Sequence, residues 1–289
     1  SLYLKTHYPL EFYTAVINNF GGFYRTELYV RQAMMHGARV HPPCIERSGM
    51  LCTIDGKDLY LGLILIGGLE QRTGERIVQE RERNGSYGSM EALTARVPMK
   101  REQLELLIRV GALRSTGRSR KELLWEKHRC LEGSSSALSP KLLDTRPETL
   151  ELPALDEAPY EEAFEEWEIL GFPLCSPFEL LRTEHRGDVM AWRLVEYEGQ
   201  RVRIMGIFVS FKPVRTVRKE RMGFGAWQDP EGTFFDTTHF PDELRQYPLR
   251  GEGCYLIQGK VDLDFGFPSI EVERMAKLPW IADPRTSGE

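Results

Sequence analysis

Two stretches of this sequence combine residue types that bind phosphate. In the first, Gly67 and Gly68 separate an apolar run at residues 63–66 from a polar segment, which predicts two helices joined by a glycine turn. The first amides of the second helix have no intrahelical acceptor and the helix dipole favours negative charge there, so a phosphate is a suitable ligand. An ordinary helical hairpin packed in a core is the alternative interpretation. The side chains that could join the amides are those of Arg72, Thr73 and Arg76.

The second stretch is residues 201–221, where positive charge is densest and Glu220 is the single acid. Aromatic residues follow at once. Cations on a phosphate backbone beside rings that stack on bases are typical of single-stranded nucleic-acid binding. A solvated loop beside rings that fill a core is the alternative. The candidate contacts are Arg203, Lys212, Arg215, Arg218, Lys219, Arg221, Phe224, Trp227 and Phe235.

The second stretch lies in a region that alternates apolar and polar residues, as strands do. Strands are predicted at residues 201–211, 224–228, 233–240, 254–261 and 268–272, with a short helix at 241–247. Five strands with a helix between the third and fourth describe an OB-fold barrel. Gly206 interrupts the alternation of the first strand and predicts a bulge there. Most of the basic residues then fall in the loop between the first two strands.

The remaining sequence is mainly helical, so the predicted fold class is α+β. The predicted domains are a helical region at 1–48, a helix-hairpin-helix region at 49–130, an acidic linker with a connecting helix at 131–189, the OB-fold barrel at 190–281 and a tail at 282–289. Between residues 147 and 181 there are ten acids and neither Lys nor Arg, which indicates a solvated face away from phosphate.

Composition excludes several classes of function. The net charge of -5 provides no global basic field, and no apolar run is long enough to span a membrane, so no membrane partner is expected. Five scattered cysteines indicate a reducing compartment and a cytoplasmic location. His36, His41, Cys44 and Cys52 match no standard zinc spacing. Asp262 and Asp264 fit a turn better than a two-metal centre, so neither a catalytic residue nor a bound metal is assigned.

Several segments in order resemble the bacterial DNA polymerase III alpha subunit, a C-family polymerase. Residues 4–12 with Asn18 and Asn19, and then residues 42–48, resemble the end of its fingers. Residues 62–78 resemble its helix-hairpin-helix, residues 107–113 its second helical unit, and residues 168–177 the segment that enters its OB domain. Glu70 departs from the family pattern, because glycine usually occupies this place in the hairpin. The resemblance covers nearly the whole chain and identifies it with the C-terminal portion.

The resemblance implies template-directed DNA synthesis by an intact, longer protein. The magnesium-binding palm aspartates would lie upstream of Ser1, so no cofactor is expected in these residues. The hairpin would hold duplex DNA and the barrel single-stranded template. The sliding clamp and other replisome subunits are expected partners, with Leu142 and Leu143 as candidate clamp contacts. A protein-interaction module of the replisome and an error-prone paralogue remain the alternatives.

Overall fold

The protein is described by a computed structural model that covers residues 2–20, 22–132 and 158–286, without the side chains of 128–132. Leu142, Leu143 and much of the predicted linker lie outside the described residues. The described residues fall into two compact units. The helical unit lies within residues 1–22, 33–174 and 283–289, and the barrel unit lies within residues 23–32 and 175–282.

The helical unit combines helices with one small sheet. Its strands are β1 (Arg39–His41), β2 (Thr53–Asp55) and β3 (Asp58–Tyr60); β3 pairs parallel with β1 and antiparallel with β2. The turn between β2 and β3 contains Gly56, which has a positive φ of 59°. The helices are α1 (Leu2–His7), α2 (Pro9–Asn18), α3 (Thr26–Met35), α4 (Gln71–Asn84), α5 (Met90–Arg96), α6 (Arg101–Arg109), α7 (Arg120–Glu132) and α8 (Glu161–Leu170), and the first part of α3 belongs to the barrel unit.

Helix ends in this unit follow local chemistry. The Ser89 hydroxyl accepts a hydrogen bond from the Ala92 N–H at 3.1 Å and caps α5. Ser119 and Glu122 form a capping box at α7, since each side chain accepts a bond from the other's backbone N–H. Gly111 ends α6 with φ +73°. The apolar faces of α4–α7 therefore meet in one core built on residues such as Ile77 and Leu104.

The prediction of a helix before the glycine turn was wrong. Leu63–Leu65 forms a single 3-10 turn. The backbone N–H groups of Leu63 and Ile64 donate to the carbonyls of Gly49 and Met50 at 3.1 and 3.0 Å, so this segment is bonded to an earlier part of the chain. Gly62 permits the close approach, because a Cβ there would lie 2.5 Å from the Met50 oxygen. These bonds replace the ladder that a longer helix would need.

The barrel unit has the predicted OB-like arrangement. Its closed barrel has the order β4-β5-β6-β8-β7, with β6 and β8 parallel and all other neighbours antiparallel. The helix α9 lies between the third and fourth strands of the barrel, as predicted. The elements are β4 (Arg201–Arg215), β5 (Arg221–Gln228), β6 (Phe234–His239), α9 (Pro241–Gln246), β7 (Cys254–Asp264) and β8 (Phe267–Lys277).

The bulge predicted at Gly206 lies elsewhere. Gly206 pairs in regular register with Tyr255, and the register between β4 and β5 shifts between Phe208 and Ser210. A Cβ at Gly206 would lie 2.7 Å from the Phe235 ring. Glycine is needed at position 206 because the Phe235 ring occupies the space that a side chain would fill. The interrupted alternation of apolar and polar residues at Gly206 therefore reflects core packing rather than a bulge.

Glu166 in α8 is a buried carboxyl, 4% exposed, that accepts a hydrogen bond from the Leu174 N–H at 2.8 Å. Burial raises its pKa from 4.5 to about 7. The folded protein therefore retains a proton that the unfolded chain releases near pH 4.5. Stability consequently falls as pH rises from about 4.5 to about 7.

We expect Glu166→Gln to raise the free energy of unfolding at pH 8 by about 2–3 kcal/mol, because the amide keeps the Leu174 bond without a buried charge. The gain should shrink toward zero near pH 4.5. Urea unfolding at several pH values measures it. Glu162→Gln, on the same helix with its side chain 56% exposed, should change little. A variant that is less stable than the parent at pH 8 would contradict this account.

Candidate nucleic-acid interface

A groove of about 970 Å³ crosses β4, β5, β6 and β8 of the barrel unit. Its floor is one row of paired residues, one from each strand. Paired residues on neighbouring strands face the same side of the sheet. The neighbours Trp227, Phe235 and Ile270 are buried in the barrel core, so the side chains of this row face outward. The floor row consists of Ser210, Ala226, Asp236 and Ser269. The next row adds Lys212, Phe224 and Thr238.

Four phenylalanines line this groove with exposed rings. Phe224 and Phe267 lie on strands and are 45% and 78% exposed. Phe265 is 96% exposed and, with Gly266, forms the two-residue turn between β7 and β8, where both have positive φ. Phe23 is fully exposed and comes from the segment before α3, far from the strands in sequence. Clustered exposed apolar side chains indicate an interaction surface.

Two of the three predicted stacking rings lie in the core instead. Trp227 is fully buried and Phe235 is 4% exposed, so neither ring is available to a ligand. Residues alternate along a strand, so Phe224 and Ala226 face outward while Trp227 faces inward on β5. That alternation was the sequence feature that could have separated them. It would also have identified Asp236, whose neighbour Phe235 faces the core.

The sequence predicts that most of the basic residues lie in a loop. The structure instead places them on an extended hairpin. β4 runs to Arg215 and β5 begins at Arg221, so the connecting turn is only residues 216–220. Arg215 and Arg221 pair across the hairpin, where like charges are unfavourable for folding. This basic hairpin, residues 212–221, presents five exposed cations: Lys212, Arg215, Arg218, Lys219 and Arg221.

Arg203 does not join this set. Its guanidinium makes two hydrogen bonds to Asp188 at 2.8 and 3.0 Å, and it does not line the groove. It alternates with inward-facing Val202 and Ile204 on the part of β4 that pairs with β7. Arg203 is therefore held in an ion pair with Asp188, which sets it apart from the other predicted cations.

The glycine turn of the helical unit has the geometry of an anion site. Gly68 has φ +81°, and Gln71 and Arg72 begin α4 with N–H groups that have no intrahelical acceptor. Gln103, a residue that the sequence did not reveal, fixes the turn: its amide oxygen accepts from the Glu70 N–H at 2.6 Å and its NH₂ donates to the Gly68 oxygen at 2.9 Å. Gly67 donates its N–H to the Ile169 oxygen at 2.8 Å.

Only the arginines of the predicted trio face solvent at this turn. Arg72 and Arg76 are exposed and one helical turn apart, whereas Thr73 is 6% exposed and shares the buried face of α4 with Ile77. Thr73 therefore does not contribute to the surface. Glu70 occupies the N-cap position, but its side chain makes no capping bond and pairs with the Lys100 ammonium at 2.7 Å. That hydrogen bond lowers the pKa of Glu70, so Lys100 compensates its negative charge.

Comparison with known proteins identifies the lineage of this arrangement. Residues 37–123 match the helix-hairpin-helix motif family. DNA polymerase III subunit alpha of Staphylococcus epidermidis is 28% identical over 281 residues, which cover 90% of this chain and 25% of the relative. Error-prone DNA polymerase of Rhodopirellula baltica is 24% identical over 96% of this chain, and that of Mycobacterium bovis is 37% identical over 43% of it.

The chain belongs to the bacterial DNA polymerase III alpha family. It corresponds to the C-terminal portion, as the resemblance of its motifs predicted, and it spans about a quarter of the length of the first relatives it matches. The helix-hairpin-helix match and the polymerase relatives together support DNA binding. Relatives named DNA polymerase III subunit alpha and relatives named error-prone DNA polymerase both match the chain.

The other candidate sites of this polymerase III alpha chain have structural explanations. His41 bonds to Asp58 at 2.7 Å, and the Cys52 sulfur accepts the Gly62 N–H at 3.3 Å. Asp262 and Asp264 are the last residues of β7 rather than part of the turn as predicted. Within the described ranges, no three His, Cys, Asp or Glu side chains are grouped to hold a metal ion. In the same residues, no helix has the length and apolarity that a membrane span requires.

The groove floor rests on a buried polar network in the barrel core. The Trp227 ring N–H donates to the Thr237 hydroxyl at 2.7 Å, and that hydroxyl lies 2.8 Å from His239 Nε2. Burial lowers the pKa of His239 from 6.5 to about 4, so the ring is neutral in the folded protein. The unfolded chain takes up this proton earlier on acidification. Stability is therefore lost as pH falls from about 6.5 to about 4.

We expect an NMR titration to show that the His239 ring stays neutral at pH 5. The variant His239→Gln should lose less stability than the parent between pH 6.5 and 4, by up to about 3 kcal/mol. Urea unfolding of both proteins at the two pH values gives the difference. A His239 ring that protonates above pH 6 would refute the buried neutral state.

Proposed function

We propose that this chain is a DNA-handling portion of a polymerase III alpha-type polymerase, in which the barrel groove holds single-stranded template. The observation that carries the proposal is the set of four exposed phenylalanine rings beside the five-cation hairpin on an OB-like barrel. Rings of this kind stack on bases of any identity, and nearby cations follow the phosphate backbone.

The helix-hairpin-helix is proposed to hold duplex product. The free amides that begin α4, with Arg72 and Arg76, suit a phosphate contact that does not depend on base sequence. Glu70 is compatible with this role because Lys100 neutralises its charge.

The chain's net acidity does not oppose these roles. In the acidic helix α8, Glu165 and Glu168 each bond to Arg109 at 2.7 Å, and Arg285 adds contacts to both at 3.1 and 2.8 Å. These acids stabilise the helical unit, so the solvated acidic face that we predicted is partly an internal ion-pair network. The charge available to DNA is local rather than global.

The activity of the whole protein is proposed from its relatives. The intact polymerase would perform template-directed DNA synthesis with Mg²⁺ held by palm residues outside this chain. It would act in the cytoplasm with the sliding clamp and other replisome subunits. Leu142 and Leu143 remain a proposed clamp contact.

The basic hairpin can be tested against a charge-matched control. Replacing Arg215, Arg218 and Lys219 with Ala should lower affinity for single-stranded DNA by roughly one to two orders of magnitude at low salt. The slope of log affinity against log salt should fall by about 2, since each contact adds about 0.7. Fluorescence anisotropy over a salt series measures both.

The control replaces Arg193, Arg201 and Arg203 with Ala, which removes the same charge. These arginines already bond to Glu196, Glu273 and Asp188, whereas within the described residues no ion pair includes Arg215, Arg218 or Lys219. Their loss should leave the salt slope nearly unchanged. Equal losses in the two triple variants would show that binding depends on net charge alone and would contradict the assignment to the hairpin.

The duplex site has its own variants. Arg72→Ala and Arg76→Ala should each weaken binding of a blunt duplex about three- to tenfold and leave single-strand affinity almost unaltered. Arg83→Ala, exposed in the last turn of the same helix, serves as the control. Gel-shift titrations of blunt duplex and single strand with each variant measure the two affinities. If all three variants bind duplex like the parent, the hairpin does not hold duplex DNA.

A further inference from the structure

A carboxylate, not a cation, occupies the centre of the groove floor. Asp236 on β6 lies between Ala226 on β5 and Ser269 on β8 in the floor row. It is exposed to the groove, and in the part of the chain that the structure describes no ion pair involves it. Partial burial of the Asp236 carboxyl raises its pKa. A partly desolvated carboxylate of this kind favours a ligand that donates hydrogen bonds.

This position constrains how a strand of DNA would lie. A phosphate would be repelled by Asp236 and attracted by the basic hairpin, so the backbone follows the hairpin and the bases enter the groove. The small side chain of Ala226 leaves the floor beside Asp236 open. A base stacked on the exposed rings therefore presents its edge toward the carboxylate.

The bases differ in what they present to such an acceptor. Cytosine and adenine offer an exocyclic amino group, and guanine offers a ring N–H beside its amino group. Thymine carries carbonyl oxygens on both sides of its ring N–H, which a carboxylate repels. The hydroxyls of Ser210 and Ser269 can donate or accept, so they do not discriminate.

We infer that Asp236 is a specificity-determining residue that makes the groove prefer bases with an exocyclic amino group over thymine. The inference rests on the proposed single-strand function of the groove and adds to it the class of base that is favoured. Asp264, at the end of β7 and also on the groove lining, provides a second acceptor at the rim.

Rings with carboxylates can also hold a cationic side chain of a protein partner. The adjacent Lys212 and the basic hairpin oppose that occupant, because they repel a positive ligand. The charge around the groove therefore favours nucleic acid.

The test compares oligo-dC with oligo-dT of equal length, bound to the whole chain at neutral pH and followed by fluorescence anisotropy. Equal backbone charge cancels the contribution of the hairpin. The parent should bind oligo-dC about tenfold more tightly, as expected for one hydrogen bond to a charged group. In Asp236→Asn the ratio should fall to within about twofold, because an amide also donates to a thymine carbonyl.

Two further variants complete the design. Asp242→Asn, an exposed carboxyl on α9 away from the groove lining, should keep the parental ratio. Phe224→Ala should weaken both oligomers together. Equal binding of both oligomers by the parent, or an unchanged ratio in Asp236→Asn, overturns the inference and leaves the single-strand site intact. If neither oligomer binds even at low salt, the proposed function fails and the inference fails with it.

Discussion

The parallel pairing of β6 with β8 is the constraint on which the barrel and its groove depend. Only three residue pairs form it, Asp236 with Ser269, Thr237 with Ile270 and Thr238 with Glu271. Thr237 and Ile270 are buried in the core, whereas Asp236, Thr238 and Ser269 line the groove. A slip of one residue would exchange these faces, so a single register fixes both the packing of the core and the row that contains Asp236.

Packing around the rings decides which of them remain for a ligand. A Cβ at Gly225 would lie 2.6 Å from Trp227 Nε1 and from the Thr237 hydroxyl, and Gly206 gives similar room to Phe235. Glycines therefore let the Trp227 and Phe235 rings fill a small barrel, so these two rings cannot contact a ligand. The alternation of residues along β5 and β6 could have predicted which rings are buried. Gly206 led to the wrong prediction of a bulge, because a glycine that makes room for a core ring cannot be told by sequence from a glycine at a bulge.

Other features were predictable only where local chemistry controls them. Ser89 caps α5 with its side-chain hydroxyl and Gly111 ends α6 with a positive φ, so the residue type by itself marks both helix ends. The hairpin strands at residues 212–215 and 221–223 show no clear alternation of apolar and polar residues, so the sequence predicted a loop there. Phe23 reaches the groove through tertiary contacts that no local pattern reports.

The distribution of ion pairs explains how an acidic chain can present a basic surface. Acids of α8 bond to Arg109 and Arg285, Glu70 bonds to Lys100, and Arg203 bonds to Asp188. Across the ranges that the structure describes, no ion pair includes the five cations of the basic hairpin. A phosphate backbone can bind these cations without breaking an existing pair, whereas at Arg109, Arg203 or Arg285 it would first have to displace a carboxylate. Affinity for DNA therefore depends on which cations have no ion-pair partner, and the net charge of the chain does not indicate that affinity.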